Sequence, residues 1–244
     1  MRLQGKTAII TGGLQGIGYS TAELFLQEGA TVVVADLRED GATALAGFDP
    51  SRCFYIQANV TDEEGVKRLV SQTVERFGRL DILFANAGVG ESAFLHAMGS
   101  SDWQRVIDAN LSSVFLCNKY AIEAMLESGG GSVINNASFL GMVGQRGVTA
   151  NAAAKGGVIS LSRTLGIQYA DRGVRVNAIS AGYTETPVIM AKPQEVIDDF
   201  IRKHPIGRLA KPAEIAKAVL FLASDDASFV IGSNLVVDGG YTAQ

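Results

Sequence analysis

The stretch Thr11-Gly12-Gly13-Leu14-Gln15-Gly16-Ile17-Gly18 carries four glycines in eight residues. Glycine lets a backbone turn tightly and brings its N–H groups close to a ligand. The apolar run Thr7-Ala8-Ile9-Ile10 before it reads as a buried strand, and Tyr19 to Glu28 after it reads as a helix. Strand, glycine turn and helix in that order put unpaired N–H groups and the positive end of a helix dipole behind the turn, which suits a pyrophosphate. The next apolar run, Thr31-Val32-Val33-Val34-Ala35, ends at Asp36, about 20 residues downstream, as a dinucleotide site asks. A carboxylate there accepts hydrogen bonds from both hydroxyls of an adenosine ribose and repels a 2′-phosphate.

The elements that must position this turn alternate along the chain. Leu37 to Arg52 is polar and reads as a short helix and a surface loop; Cys53 to Gln57 reads as a third strand that ends at Asn59-Val60. Val66, Leu69, Val70, Thr73, Val74 and Phe77 form one helical stripe, with Thr61 and Glu64 as a capping box and Gly78 past the end. Leu80 to Ala85 reads as a fourth strand leading into Asn86-Ala87-Gly88. A long helix is expected over Ser101 to Ser128, with Trp103, Val106, Ile107, Leu111, Val114 and Phe115 on its apolar side and Asn110 amid that stripe. Ser132 to Ser138 reads as a fifth strand whose last residue is the serine. The loop Phe139 to Val148, a helix over Thr149 to Asp171 and a sixth strand over Val174 to Ile179 follow. Four of the five prolines fall between Ser180 and Pro212, which predicts an irregular lobe over about 183–211 with short helices. Pro212 suits the first position of a helix that runs to Ala223, and Ser233 to Asp238 reads as the last strand. Such alternation predicts an α/β fold, a single domain over 1–244, with about seven strands in a parallel sheet and helices on both faces.

Hydrophobic residues make up 47% of the 244, and charged residues 19%, ample for a core and unlike a disordered chain. The net charge of −4 and the lack of any Lys/Arg cluster argue against nucleic acid as a partner. The two cysteines, Cys53 and Cys117, lack metal-ligand spacing and read as buried free thiols, so no metal is expected. No apolar run approaches 18 residues and the first six carry no signal core, so a cytoplasmic protein with no membrane partner is expected.

In a parallel sheet, ligands bind beyond the carboxyl ends of the strands. The expected ends here are Gly12 to Gly18, Asp36, Asn59-Val60, Asn86-Ala87-Gly88, Ser138 and Ala181-Gly182, small or polar residues on one rim. Adding Asn110, Lys155, Asn177, Gly182 with Thr186, and Asp238-Gly239-Gly240, the chain resembles a short-chain dehydrogenase/reductase over its whole length. The resemblance implies a single Rossmann-type domain with a doubly wound sheet, a nicotinamide cofactor, hydride transfer at a secondary alcohol or ketone, and a homotetramer. It would have Gly12, Gly16 and Gly18 hold the phosphates, Asp36 the adenosine ribose, and Asn59 and Val60 flank the adenine, with Leu14, Gln15, Ile17 and Leu37 also at the cofactor. Asn86, Ala87 and Gly88 would line the cleft by the second ribose, with Lys155, Gly182, Thr184 and Thr186 toward the nicotinamide. The family's NADP users place Arg or Lys before the second glycine or just after the second strand; here those places hold Gln15 and Leu37, so NAD (NAD⁺/NADH) is expected.

The family's catalytic set is Asn, Ser, Tyr and Lys. Asn110, Ser138 and Lys155 supply three of these, but the position four before the lysine is Asn151. A phenol exchanges a proton; a carboxamide hydrogen-bonds but does not. Ala181-Gly182 stands where the family usually has Pro-Gly, which loosens the turn under the nicotinamide. Three readings follow: a dehydrogenase with reduced or altered activity; an NAD-binding protein without redox chemistry; or an oxidoreductase whose proton comes from Tyr183, a water on Asn151 or a substrate hydroxyl. Glu91, His96, Leu140, Gln145 and Arg146 lie in segments that could line the substrate pocket, while His204 has no ligand partner in sequence. Trp103 reads as core or subunit interface, and the helices over Ser101–Ser128 and Thr149–Asp171 as a four-helix interface between subunits.

Overall fold

The structure is a computed structural model that describes residues 1–244 except Glu91. Seven strands, β1 (Thr7–Thr11), β2 (Thr31–Asp36), β3 (Cys53–Gln57), β4 (Ile82–Ala85), β5 (Gly131–Asn136), β6 (Val174–Ala181) and β7 (Asn234–Val237), form one sheet in the order β3-β2-β1-β4-β5-β6-β7. Every pairing is parallel. The order reverses between β1 and β4, and a crevice opens beyond their carboxyl ends.

Nine α-helices accompany the sheet among the described residues: α1 (Gly16–Gln27), α2 (Gly41–Ala44), α3 (Glu63–Phe77), α4 (Ser100–Ile107), α5 (Ser113–Glu127), α6 (Thr149–Tyr169), α7 (Pro187–Met190), α8 (Gln194–Arg202) and α9 (Pro212–Ala223). Alternate strand residues feed two cores. Ile9, Val33, Leu83, Val133 and Val176 pack on α3, α5 and α6, while Ile10, Val34, Phe84, Ile134 and Ile179 pack on α1 and α9. Both faces are therefore covered, which is why the strands read as near-continuous apolar runs. Cys53 and Cys117 are buried free thiols whose pKa values burial raises to about 11 and about 12.

Several expectations about local structure change. The cap of α3 is Asp62, whose carboxylate accepts from Gly65 N at 3.0 Å; Thr61 instead donates its hydroxyl to Asn59 Oδ1 at 2.8 Å. The long helix is interrupted by a π-turn over Asp108–Ser112 between α4 and α5. Asn110, inside that turn, is buried, while Trp103 and Phe115 are exposed on the chain. Strand β5 stops at Asn136, so Ser138 is not a strand residue but the cap of a 3₁₀ turn, Phe139–Gly141, where its Oγ accepts from Leu140 N at 3.2 Å. Strand β4 begins at Ile82 instead of Leu80, and β6 continues to Ala181.

Candidate active site

Two adjoining cavities lie on the carboxyl rim. The first, of about 300 Å³, is walled by Gly12, Gln15, Gly16 and Ile17 of the glycine turn, Asp36 at the end of β2 and Leu37 after it, Asn59, Val60 and Thr61 after β3, and Asn86, Ala87 and Gly88 after β4. The backbone of the turn is close to its neighbours. Gly12 has φ 63°, and a Cβ built on it would stand 2.9 Å from Ala87 Cα; one on Gly18 would stand 2.3 Å from Gly12 O. Gly18 thus leaves the room for the turn without forming the wall, and Leu14 points into the α1–α9 core. Leu14 still contributes its backbone N–H, which donates to Asp36 Oδ2 at 3.4 Å.

The cradle fits a dinucleotide. Helix α1 has no side-chain cap at its N-terminus, so its first N–H groups remain for an anion. Arg38 is bound to Asp40, with Nε to Oδ1 at 2.9 Å and NH2 to Oδ2 at 2.6 Å, and its backbone N–H donates to Asp36 Oδ1 at 3.4 Å. The guanidinium is therefore engaged by a carboxylate of its own loop.

The second cavity, of about 280 Å³, is lined by Asn110, Ser138, Asn151 and Lys155, with Leu140, Gly182, Tyr183, Thr184 and Thr186 opposite. Asn151 and Lys155 share one face of α6, at spacing i, i+4. Asn110 donates from Nδ2 to Asn151 Oδ1 at 2.9 Å and is itself clamped to Val89, accepting from its N–H at 2.7 Å and donating to its carbonyl at 2.9 Å. Lys155 Nζ donates to Asn136 O at 2.5 Å, and burial lowers its pKa to about 8.

Asn136 was absent from the residues singled out by sequence, yet it lines both cavities. Its Nδ2 donates to Asn86 Oδ1 at 3.0 Å, and Asn86 Nδ2 donates to Thr11 O and Gly12 O, each at 3.0 Å. This relay of donors fixes the amide orientation and leaves Asn136 Oδ1 buried without a partner among the described residues. Its one sequence cue was a second polar residue, after Asn135, at the end of an apolar strand. Val89, Ala109 and Val188, also on the wall of the first cavity, gave no cue at all.

Other candidates fall outside the chemistry. Tyr183 donates its hydroxyl to Gln145 Oε1 at 2.8 Å and stacks on Phe200, ring centroids 3.7 Å apart; burial raises its pKa to about 12. His204 is a satisfied core residue: Nε2 accepts from Tyr183 N at 3.3 Å, so Nδ1–H donates to Phe200 O at 2.7 Å. His96 sits in an exposed 3₁₀ turn and Arg146 on an exposed loop, neither on a cavity wall. Glu91 lies outside the described residues. Among the described residues no group of three His, Cys, Asp or Glu could hold a metal ion, and no helix is long and apolar enough to cross a membrane.

A sheet of this order, a glycine turn at its switch point and a lysine–carboxamide pair on one helix define a nucleotide-binding oxidoreductase fold. Residues 12–242 match the family model described as enoyl-(acyl carrier protein) reductase. The chain belongs to this family, the short-chain dehydrogenase/reductases. It is 45% identical to cis-4-hydroxycyclohexanecarboxylate dehydrogenase of Sinomonas cyclohexanicum, over 98% of this chain and 97% of the relative. It is 41% identical to cyclohexanol dehydrogenase of an Acinetobacter species, over 100% and 97%. A crystal structure of gox2181 superposes with a TM-score of 0.96 at 34% identity, covering 100% of this chain and 98% of that one.

Proposed function

We propose that this chain is an NAD-dependent oxidoreductase that moves a hydride between nicotinamide and a secondary alcohol or its ketone. Its activity is reduced or altered because Asn151 stands where the family's tyrosine is expected. The observation that carries the cofactor choice is Asp36 on the wall of the first cavity beside an arginine already paired with Asp40. A 2′-phosphate there would meet a carboxylate and, among the described residues of that wall, no free cation, whereas two ribose hydroxyls would find an acceptor. Bound nicotinamide supplies or accepts the hydride. The glycine turn and the α1 N-terminus hold the phosphates, Asn59 and Val60 flank the adenine, and Thr184, Thr186 and Gly182 border the nicotinamide end.

In the second cavity, Ser138 hydrogen-bonds the substrate oxygen, and Asn110 positions the Asn151 amide beside it. The two relatives act on six-membered-ring alcohols by name, and a cavity of about 280 Å³ has room for a ring of that size. A cyclic secondary alcohol is the substrate class. We take the chain to work as one domain, as a homotetramer in the cytoplasm, with α4–α5 and α6 at the subunit interface.

Calorimetric titration tests the reading. NADH should bind roughly tenfold or more tightly than NADPH, about 1.4 kcal/mol, and cyclohexanol with NAD⁺ should give NADH. Tighter binding of NADPH would refute the role of Asp36. Absence of heat with either cofactor would refute the whole reading, and normal NADH binding with no turnover would favour an NAD-binding protein instead.

A further inference from the structure

We infer that Lys155 is itself the proton donor and acceptor of this cleft, working through one water seated beside Asn151. This rests on the oxidoreductase reading above. Among the described residues that line the second cavity, two side chains titrate, Lys155 and Tyr183. The phenol of Tyr183 is committed to Gln145 and stacked on Phe200. Ser138, Asn110, Asn136 and Asn151 can donate or accept hydrogen bonds but do not exchange a proton near neutral pH. That elimination leaves one ammonium, on the same helix face as Asn151 and four residues from it.

The surroundings of Lys155 fit this task. From β5 it meets the carbonyl of Asn136, an acceptor that holds the ammonium without taking its proton. From the segment after β4 it faces Gly88, which has no side chain, and a Cβ added there would stand 3.9 Å from Nζ, in ordinary contact. No charge from any of the described elements packed on α6 shifts its pKa; burial alone does, to about 8. Asparagine is shorter than the phenol it replaces, and the volume gained admits a water of about 30 Å³. In ketone reduction the carbonyl carbon receives the hydride, with its electron pair, from a dihydronicotinamide. The carbonyl oxygen takes a proton from the water, and the water recovers one from Lys155 Nζ, which ends neutral. Alcohol oxidation runs the same transfers backwards and needs neutral Lys155 at the start.

The test uses the full chain with NAD(H), cyclohexanol and cyclohexanone. Reduction should slow and oxidation quicken as pH rises through about 8. Lys155→Met should lower kcat roughly 10²–10⁴-fold, abolish that pH dependence, and regain turnover when methylamine or ethylamine is added. NADH binding, followed separately by its fluorescence, should change only a few-fold. In the cofactor-free protein, an NMR titration should find Lys155 Nζ losing its proton near pH 8. A variant that keeps its kcat and its pH dependence, or one that no amine rescues, would overturn the relay. So would a parent that binds NADH but turns over no alcohol, which leaves the cofactor reading standing. Failure to bind NADH overturns both.

Discussion

At the residue scale, position 151 decides how much chemistry the cleft performs. The Asn151 carboxamide accepts from Asn110 and sits one helical turn before Lys155, so its backbone place is already suited to a group that faces the substrate. Asn151→Tyr should raise kcat for cyclohexanol oxidation by roughly 10²–10⁴-fold with NADH affinity nearly unchanged. No gain at normal NADH affinity, measured by steady-state kinetics beside calorimetry, would show that the asparagine is not what limits turnover. Much of the wall was legible in residue types: Gly12, Gly16, Asp36, Asn59 and Asn86 stand at strand ends because only small or polar groups suit a solvent-facing rim. Asn136 was not legible. Its importance comes from where its amide and carbonyl point, toward Asn86 and Lys155, and those partners lie 50 and 19 residues away.

At the element scale, strands and helices could be read because a sheet buried on both faces writes short apolar runs, and helices packed on it write one stripe each. The π-turn could not. Its one-residue register shift leaves the composition of the helix unchanged, so nothing in the residue types marks it. The cap of α3 was misread because Thr61 and Asp62 are both good capping residues in adjacent places; the backbone chose the carboxylate. Asp62→Ala should therefore lower stability by about 1 kcal/mol, or Tm by about 2–4 °C. Thr61→Ala should stay within about 0.5 kcal/mol. Thermal melts of the two variants check this, and the reverse ranking would return the cap to Thr61. The Arg68–Asp62 contact at 3.7 Å is exposed and adds little to the difference.

At the scale of the whole molecule, the buried lysine makes stability depend on pH in a direction that can be worked out. Burial moves Lys155 from 10.5 in the unfolded chain to about 8 in the fold. Below pH 8 both states carry the proton, and the fold bears the full cost of a buried ammonium, about 3 kcal/mol. Between pH 8 and 10.5 the unfolded chain binds more protons than the native one, so this cost is relieved as pH rises. The two thiols act oppositely. Their ordinary value is 9.0, and the fold raises them to about 11 and about 12, so the stability they contribute is whole below pH 9 and lost above it. Tyr183, raised from 10.0 to about 12, adds to that loss from pH 10 upward. The lysine therefore stands alone between pH 8 and 9. Urea denaturation over that interval should show the parent gaining about 1 kcal/mol, whereas Lys155→Met, with no ammonium to bury, should stay level. Subtracting the two curves removes the thiol and phenol contributions, which both proteins share. A difference that stays constant from pH 7 to 10 would mean that Lys155 is as well solvated in the fold as in the unfolded chain.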